Sequence, residues 1–240
     1  MTDEEIQTAA IAFAKQNKNR IAKELTDTSK YPPDTVPISV FMAGSPGAGK
    51  TEFSKGLIGI LERNSNIKHD VIRIDGDEIR RFFTDYTGTN SYLFQAAISI
   101  IIDRIHDCVL DEGQTFVLDG TLFDYEKAAK NIRRSLSKGR AVFIFYVYQE
   151  PAVAWKFTMA RERVEGRNIP KSAFIDGFLG ARDTVEQIRK EFGKQVVIFF
   201  VQKDFEKNEV ETVVNLELGG KQIDDYLPKR YTRDELENLL

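Results

Sequence analysis

The residues best suited to do chemistry begin with an uninterrupted run. Gly44-Ser45-Pro46-Gly47-Ala48-Gly49-Lys50-Thr51 satisfies the pattern G-x-x-x-x-G-K-[ST] in full. Glycines in such a loop let backbone amides turn inward around phosphate oxygens, and a helix opening at its end adds N-terminal amides and a dipole. Lys50 then reaches the β- and γ-phosphates, and the Thr51 hydroxyl ligates Mg²⁺. The apolar segment ISVFMA precedes the run and the helical pattern TEFSKGLIGIL follows it, so both contexts the motif requires are present. ATP and Mg²⁺ are the expected cofactors. The loop alone does not separate a kinase from a GTPase or a motor.

Acids and arginines further along narrow the choice. The apolar run QTFVLD ends on Asp119, followed by Gly120 and Thr121, which puts a carboxylate at the carboxyl edge of a buried strand. That position holds Mg²⁺ directly or through water; the alternative is a cap for the next helix, a role Thr121 or Asp124 would also fill. A second strand, HDVIRI, runs into Asp75-Gly76-Asp77-Glu78-Ile79-Arg80, so Asp75 and Asp77 stand beyond a strand's carboxyl end, where open α/β sheets bind ligands. One of the two is a candidate base that orients and deprotonates an attacking hydroxyl, with a plain helix N-cap as the alternative role for Asp77. After the fourth strand, Arg161, Arg163 and Arg167 precede a Gly and Pro loop, the pattern of a lid that delivers permanent positive charge to a migrating phosphoryl group. Arg161 reads as half of an i,i+4 pair with Glu165, while the spacing of Arg163 and Arg167 puts both on one helical face. No N-K-x-D guanine-recognition motif accompanies the loop, which disfavours GTPase chemistry.

These groups need a scaffold, and the hydrophobic pattern supplies one. From Ile38 onward, short runs rich in Val, Ile and Phe alternate with helical patterns: ISVFMA, HDVIRI, QTFVLD, RAVFIFYVY and QVVIFFV. Runs without in–out alternation are what strands buried on both faces show, so the expected fold is α/β: a three-layer sheet of five mostly parallel strands with helices on both sides. Residues 4–25 carry Ile6, Ala9, Ala10, Phe13, Ile21 and Leu25 near the helical period, with Asn17 to Asn19 as an expected break. Pro32, Pro33 and Pro37 then impose an extended connector. The expected division is a helical extension over 1–30 and a domain over 37–240, with a last helix opened by Thr232 and Glu235 in capping-box spacing.

The 240 residues suffice for one α/β domain with a sizeable core. A formal net charge of −3 gives no reason to expect a nucleic-acid or anionic-membrane partner. The longest apolar stretch, Ala141 to Tyr148, is far below the roughly 18 residues that span a bilayer, and MTDEEIQTAA lacks a basic-then-apolar signal, so a cytoplasmic location is expected. The single cysteine, Cys108, excludes an intrachain disulfide and reads as core packing. His106 reads as a surface residue. Gln95, Ser99, Asp103 and Asp107 form a polar stripe on an otherwise apolar helix, the mark of a solvated face.

Taken together, GSPGAGKT, IDGDEIR, LDGT and ERVEGRNIP resemble the zeta toxin family over roughly Pro37 to Phe200. The family's best-described members are P-loop kinases that phosphorylate UDP-N-acetylglucosamine on its sugar hydroxyl and stall bacterial cell-wall synthesis. The resemblance implies that Asp77 is the catalytic base, Lys50 a catalytic cation, and Arg163 with Arg167 the phosphate-stabilising pair. It implies further that Asp119 and Thr121 contact metal or substrate, aspartate replacing the more usual glutamate, and that Asp103 contacts an amino-sugar acceptor. A small helical antitoxin is the partner it implies; residues 1–30 either act in that way in cis or complete the core. Three functions remain in view: transfer to a nucleotide sugar, transfer to a nucleotide cofactor, antibiotic or other metabolite, and ATP binding without transfer.

Overall fold

A computed structural model describes residues 1–64, 70–204, 209–216 and 222–240. The strands are β1 (Ile38–Ala43), β2 (Ile72–Asp75), β3 (Phe116–Asp119), β4 (Ala141–Tyr148), β5 (Val196–Asp204) and β6 (Glu209–Asn215). They form a single sheet in the order β2-β3-β1-β4-β5-β6. The first five are parallel, as their apolar runs predict, and β6 adds an antiparallel edge that the sequence reading does not contain. The helices are α1 (Asp3–Leu25), α2 (Lys50–Asn64), α3 (Gly76–Ile79), α4 (Gln95–Asp111), α5 (Tyr125–Ser137), α6 (Pro151–Glu165), α7 (Lys171–Phe192) and α8 (Arg233–Leu239). Short 3-10 turns cover Arg80–Phe82 and Ser91–Phe94.

Successive side chains of a strand point to opposite faces, and the two faces carry separate cores. On one, Val40 and Met42 of β1 meet Phe53, Leu57 and Leu61 of α2. On the other, Phe41 and Ala43 join Ile101 and Ile105 of α4, Ile132 of α5 and Val185 of α7. At the amino edge of the sheet the buried Arg140 closes off β1, donating to Ser39 Oγ at 2.8 Å, to the Ile38 carbonyl at 2.8 Å and to the Gln114 carbonyl at 2.5 Å. Hydrogen bonds to backbone oxygens allow a buried guanidinium there.

Helix α1 runs unbroken, so the break expected at Asn17 to Asn19 does not occur. Both asparagines find partners that keep the helix intact: Asn17 Nδ2 donates to the Phe13 carbonyl at 3.0 Å, and Asn19 Oδ1 accepts from Arg104 Nε at 2.8 Å. A capping box of Thr2 and Glu5 starts the helix, and Ala14, Ile21 and Ala22 are fully buried in the α4-side core. The proline connector is tied to the body, since Gln114 Nε2 donates to the carbonyls of Thr26 (2.9 Å) and Tyr31 (2.5 Å) and the Thr115 amide donates to Asp34 at 2.8 Å. Thr232 and Glu235 form the expected capping box of α8. Cys108 is partly buried against the core. His106 corrects the surface reading: it is buried edge-on to Phe41 and Phe116, where burial first and the nearby Arg134 second push its pKa down to about 3. Among the described residues no helix is long and apolar enough to cross a membrane.

Because Ile21 is fully buried at the junction of α1 with the body, Ile21→Ala is expected to destabilise the protein by about 2–5 kcal/mol. Urea unfolding checks this; an unchanged midpoint would mean that α1 is not part of the cooperative unit.

Candidate active site

The site lies outside the carboxyl ends of β1, β2 and β3, where the chain leaves the central strand β1 for the edge strand β2 and returns to β3 between them. Gly44, Gly47 and Gly49 have φ of 138°, 71° and 84°, a region closed to most side chains. A Cβ on Gly47 would stand 2.0 Å from the Ala154 carbonyl oxygen, so α6 packs directly on the loop. The Gly44 amide donates to the Thr121 carbonyl at 3.1 Å, which fastens the loop to the segment after β3. Lys50 Nζ folds back onto the carbonyls of Gly44 (3.0 Å) and Ser45 (2.6 Å). Burial draws the Lys50 ammonium down to about 8, against the opposing pull of Asp119.

Register pairs Asp75 with Asp119 on adjacent strands. Arg73, pointing to the α2 side of the sheet, holds them together: its Nη2 lies 2.6 Å from Asp75 Oδ2 and 2.6 Å from Asp119 Oδ2, and its Nη1 lies 3.0 Å from Glu78. Ser54 Oγ of α2 also donates to Asp119 Oδ2 at 2.9 Å. Sequence reasoning missed Arg73. The signal was an arginine inside the apolar run VIRID, since a charge facing inward from a strand needs carboxylate partners.

Asp75, not Asp77, caps α3, accepting from the Asp77 amide at 2.9 Å. That leaves the Asp77 carboxylate to meet three guanidinium groups: Arg80 Nη2 at 2.9 Å, Arg161 Nη2 at 3.2 Å and Arg167 Nη1 at 2.9 Å. Burial would raise the Asp77 pKa, but Arg167, Arg80 and Arg161 outweigh it and hold the carboxyl below its ordinary value. Among the described residues, Arg80 Nε and Arg167 Nε are buried without a partner. A cleft of about 360 Å³ opens beside them, lined by Asp77, Arg80, Arg81, Phe83, Tyr86 and Arg167.

Two expectations about the lid change. Helix α6 stops at Glu165 and Gly166 turns the chain with φ 70°, so the spacing of Arg163 and Arg167 is not helical. Arg163 is exposed, whereas Arg161 joins Arg167 at Asp77. The expected Arg161 partner, the Glu165 side chain, lies outside the described residues. Asp103 is likewise away from the cleft lining, exposed on α4 and ion-paired with Lys127 of α5 at 3.2 Å. Asp124 rather than Asp119 or Thr121 caps α5, accepting from the Lys127 amide at 3.1 Å. Arg80 is the other group that sequence reasoning left unassigned; it lies three residues after Asp77, within reach on one helical turn.

The residues present fit a phosphate-bound Mg²⁺. The hydrogen bonds described for Asp119 all end on Oδ2, leaving Oδ1, and Thr51 supplies a hydroxyl at the head of α2. One carboxylate and one hydroxyl are the sparse donor set that Mg²⁺ takes when phosphates and waters complete its shell. Among the described residues no group of three or more His, Cys, Asp or Glu forms a metal cluster.

The family described as Zeta toxin matches residues 21–213. Among solved structures, the chain is similar to one from the PezAT chromosomal toxin–antitoxin system of Streptococcus pneumoniae, with a TM-score of 0.68 at 18% identity over 94% of this chain and 91% of that one. It is also similar to the AvrRxo1-ORF1:ORF2 complex with ATP, with a TM-score of 0.56 at 13% identity over 88% of this chain and 65% of that one. At these identities the likeness is one of fold. No curated protein matches the chain.

The folded state holds the Lys50 proton less tightly than the unfolded chain, with a pKa of about 8 against an ordinary 10.5. Unfolding therefore takes up protons across that window, and the stability of the nucleotide-free protein rises with pH through it. Urea unfolding from about pH 7.5 to about pH 10.5 is expected to show this rise in the wild type and its loss in Lys50→Met. Parallel curves for the two proteins would contradict the burial of this charge.

Proposed function

The chain belongs to the zeta toxin family, and from that premise we propose that it is an ATP-dependent kinase that transfers the γ-phosphoryl group to a hydroxyl of a UDP-amino sugar such as UDP-N-acetylglucosamine. The observation that carries the reading is the convergence of Arg161 and Arg167 on Asp77, in electrostatic reach of Lys50. A sensor that only bound ATP would need neither a positioned carboxylate nor paired lid arginines.

Each residue then has a task. Amides of the Gly44–Thr51 loop surround the β-phosphate, and Lys50 exchanges its two loop carbonyls for phosphate oxygens. Mg²⁺, held by Thr51 and Asp119, supplies charge neutralisation across the phosphates when bound. Arg161 and Arg167, now spent on Asp77, are the groups positioned to meet negative charge on the transferring phosphoryl group. As they turn to it, Asp77 keeps Arg80 but loses two of the three cations that depress its basicity, and becomes better able to accept the acceptor's proton. Arginines 80, 81 and 167 beside the Phe83 and Tyr86 rings suit an acceptor that carries phosphate and a flat ring, as a nucleotide sugar does. A helical antitoxin is the proposed partner, in keeping with the toxin–antitoxin system to which one structural relative belongs.

Incubation with γ-labelled ATP and a panel of nucleotide sugars and nucleotide cofactors tests the assignment. UDP-N-acetylglucosamine is expected to take up label, and Lys50→Ala to abolish transfer. Full turnover by that variant would refute the site. Asp77→Asn is expected to lower kcat by about 10²–10⁴ while ATP affinity stays within a few-fold; an unchanged kcat would remove Asp77 as the base.

A further inference from the structure

The family match begins at residue 21, so the first part of α1 stands outside it. That part nevertheless reaches the cleft through a line of rings. Phe13 of α1 meets Phe83 with centroids 5.2 Å apart; Phe83 meets Phe94 at 5.3 Å; Phe94 meets Tyr86 at 5.5 Å. The Arg80 guanidinium lies over the Tyr86 ring at 5.4 Å and reaches Asp77 at 2.9 Å. Among the described residues Arg80 Nε is buried and unpartnered, and Asp77 and the Tyr86 ring are the contacts described for this guanidinium.

Polar ties hold the same two segments together at both ends. The Tyr92 hydroxyl donates to Asp3 near the start of α1, and Arg81 approaches Glu24 near its end at 3.9 Å. Between them the packing is incomplete. A hollow of about 190 Å³, lined by Ile6, Ala10, Phe13, Phe82, Phe83 and Phe94 among others, separates α1 from the Arg80–Phe94 segment. A gap removes dispersion contacts from its lining, so the Phe13–Phe83 contact carries more of the connection than it would in a filled interface.

We infer that the first half of α1 braces the acceptor side of the cleft, with Phe13 as a positioning residue that acts through Phe83, Phe94 and Tyr86 on Arg80. The inference rests on reading the Asp77 cleft as the acceptor site. It also gives the helix a task specific to one substrate, because the ring path ends at Arg80 and Asp77 and does not pass through the Gly44–Thr51 loop.

Hydrogen exchange read by mass spectrometry on full-length wild type, Phe13→Ala and Phe13→Leu tests the brace directly. Phe13→Ala is expected to speed exchange over residues 80–94 by about tenfold and leave 44–51 unchanged, with Phe13→Leu close to wild type. Calorimetry on the same proteins is expected to show UDP-N-acetylglucosamine bound about tenfold more weakly by Phe13→Ala and MgATP within about twofold of wild type. Unchanged exchange over 80–94, or equal acceleration over 44–51, would overturn the inference. Wild type that binds no UDP-N-acetylglucosamine would count against the acceptor reading alone, and the exchange comparison would still decide the brace.

Discussion

One carboxylate shared among three guanidinium groups organises the site. Asp77 stands just past the carboxyl end of β2, and its cations come from the 3-10 turn after α3, from α6 and from the loop beyond α6. Each of these guanidinium groups is in ion-pair reach of the same carboxylate, and together they hold its pKa below the ordinary value against the pull of burial. The cluster ties the segment that carries Arg161 and Arg167 to the carboxylate at the cleft. On the proposed kinase reading, an incoming phosphate would take up Arg161 and Arg167, and the same event would alter the basicity of Asp77.

The carboxyl edge of the sheet rests on a second compensation. Asp75 and Asp119 are side by side in register, and two adjacent carboxylates would repel without the Arg73 guanidinium between them. Burial and the nearby Asp77 still raise the Asp75 pKa. Asp75 in turn caps α3 and so fixes where the Asp77 side chain starts. Asp77 is thus placed by Asp75, which accepts from its amide, and Asp75 is in turn held by Arg73, two residues earlier on the same strand.

Much of this was legible in the sequence, for identifiable reasons. The Gly44–Thr51 loop reads directly because its residue types answer backbone needs that few other residues meet, as the positive φ of Gly44, Gly47 and Gly49 shows. The parallel strands read well because both faces are buried and the apolar runs are continuous. Edge strand β6 runs through EVETVVN, where polar residue types interrupt the valines, so the run does not read as a buried strand. Arg161, Arg163 and Arg167 read as a cluster, but the helical spacing given to Arg163 and Arg167 was extended past Gly166, where the helix has already ended. His106 and Asn17 were misread for a shared reason: a polar residue on a helix looks solvated or disruptive until the contacts around it are known, here Arg134 with two phenylalanine edges for one and the Phe13 carbonyl for the other.

If Asp77 and the lid arginines act as one unit, their removal should not be independent. A double-mutant cycle on kcat/KM for phosphoryl transfer, built from Asp77→Asn and Arg167→Gln, measures that coupling most directly. The account predicts that the double variant loses far less than the two single losses combined, with a coupling above about 1 kcal/mol. Strict additivity would mean that base and lid contribute separately, and would contradict it.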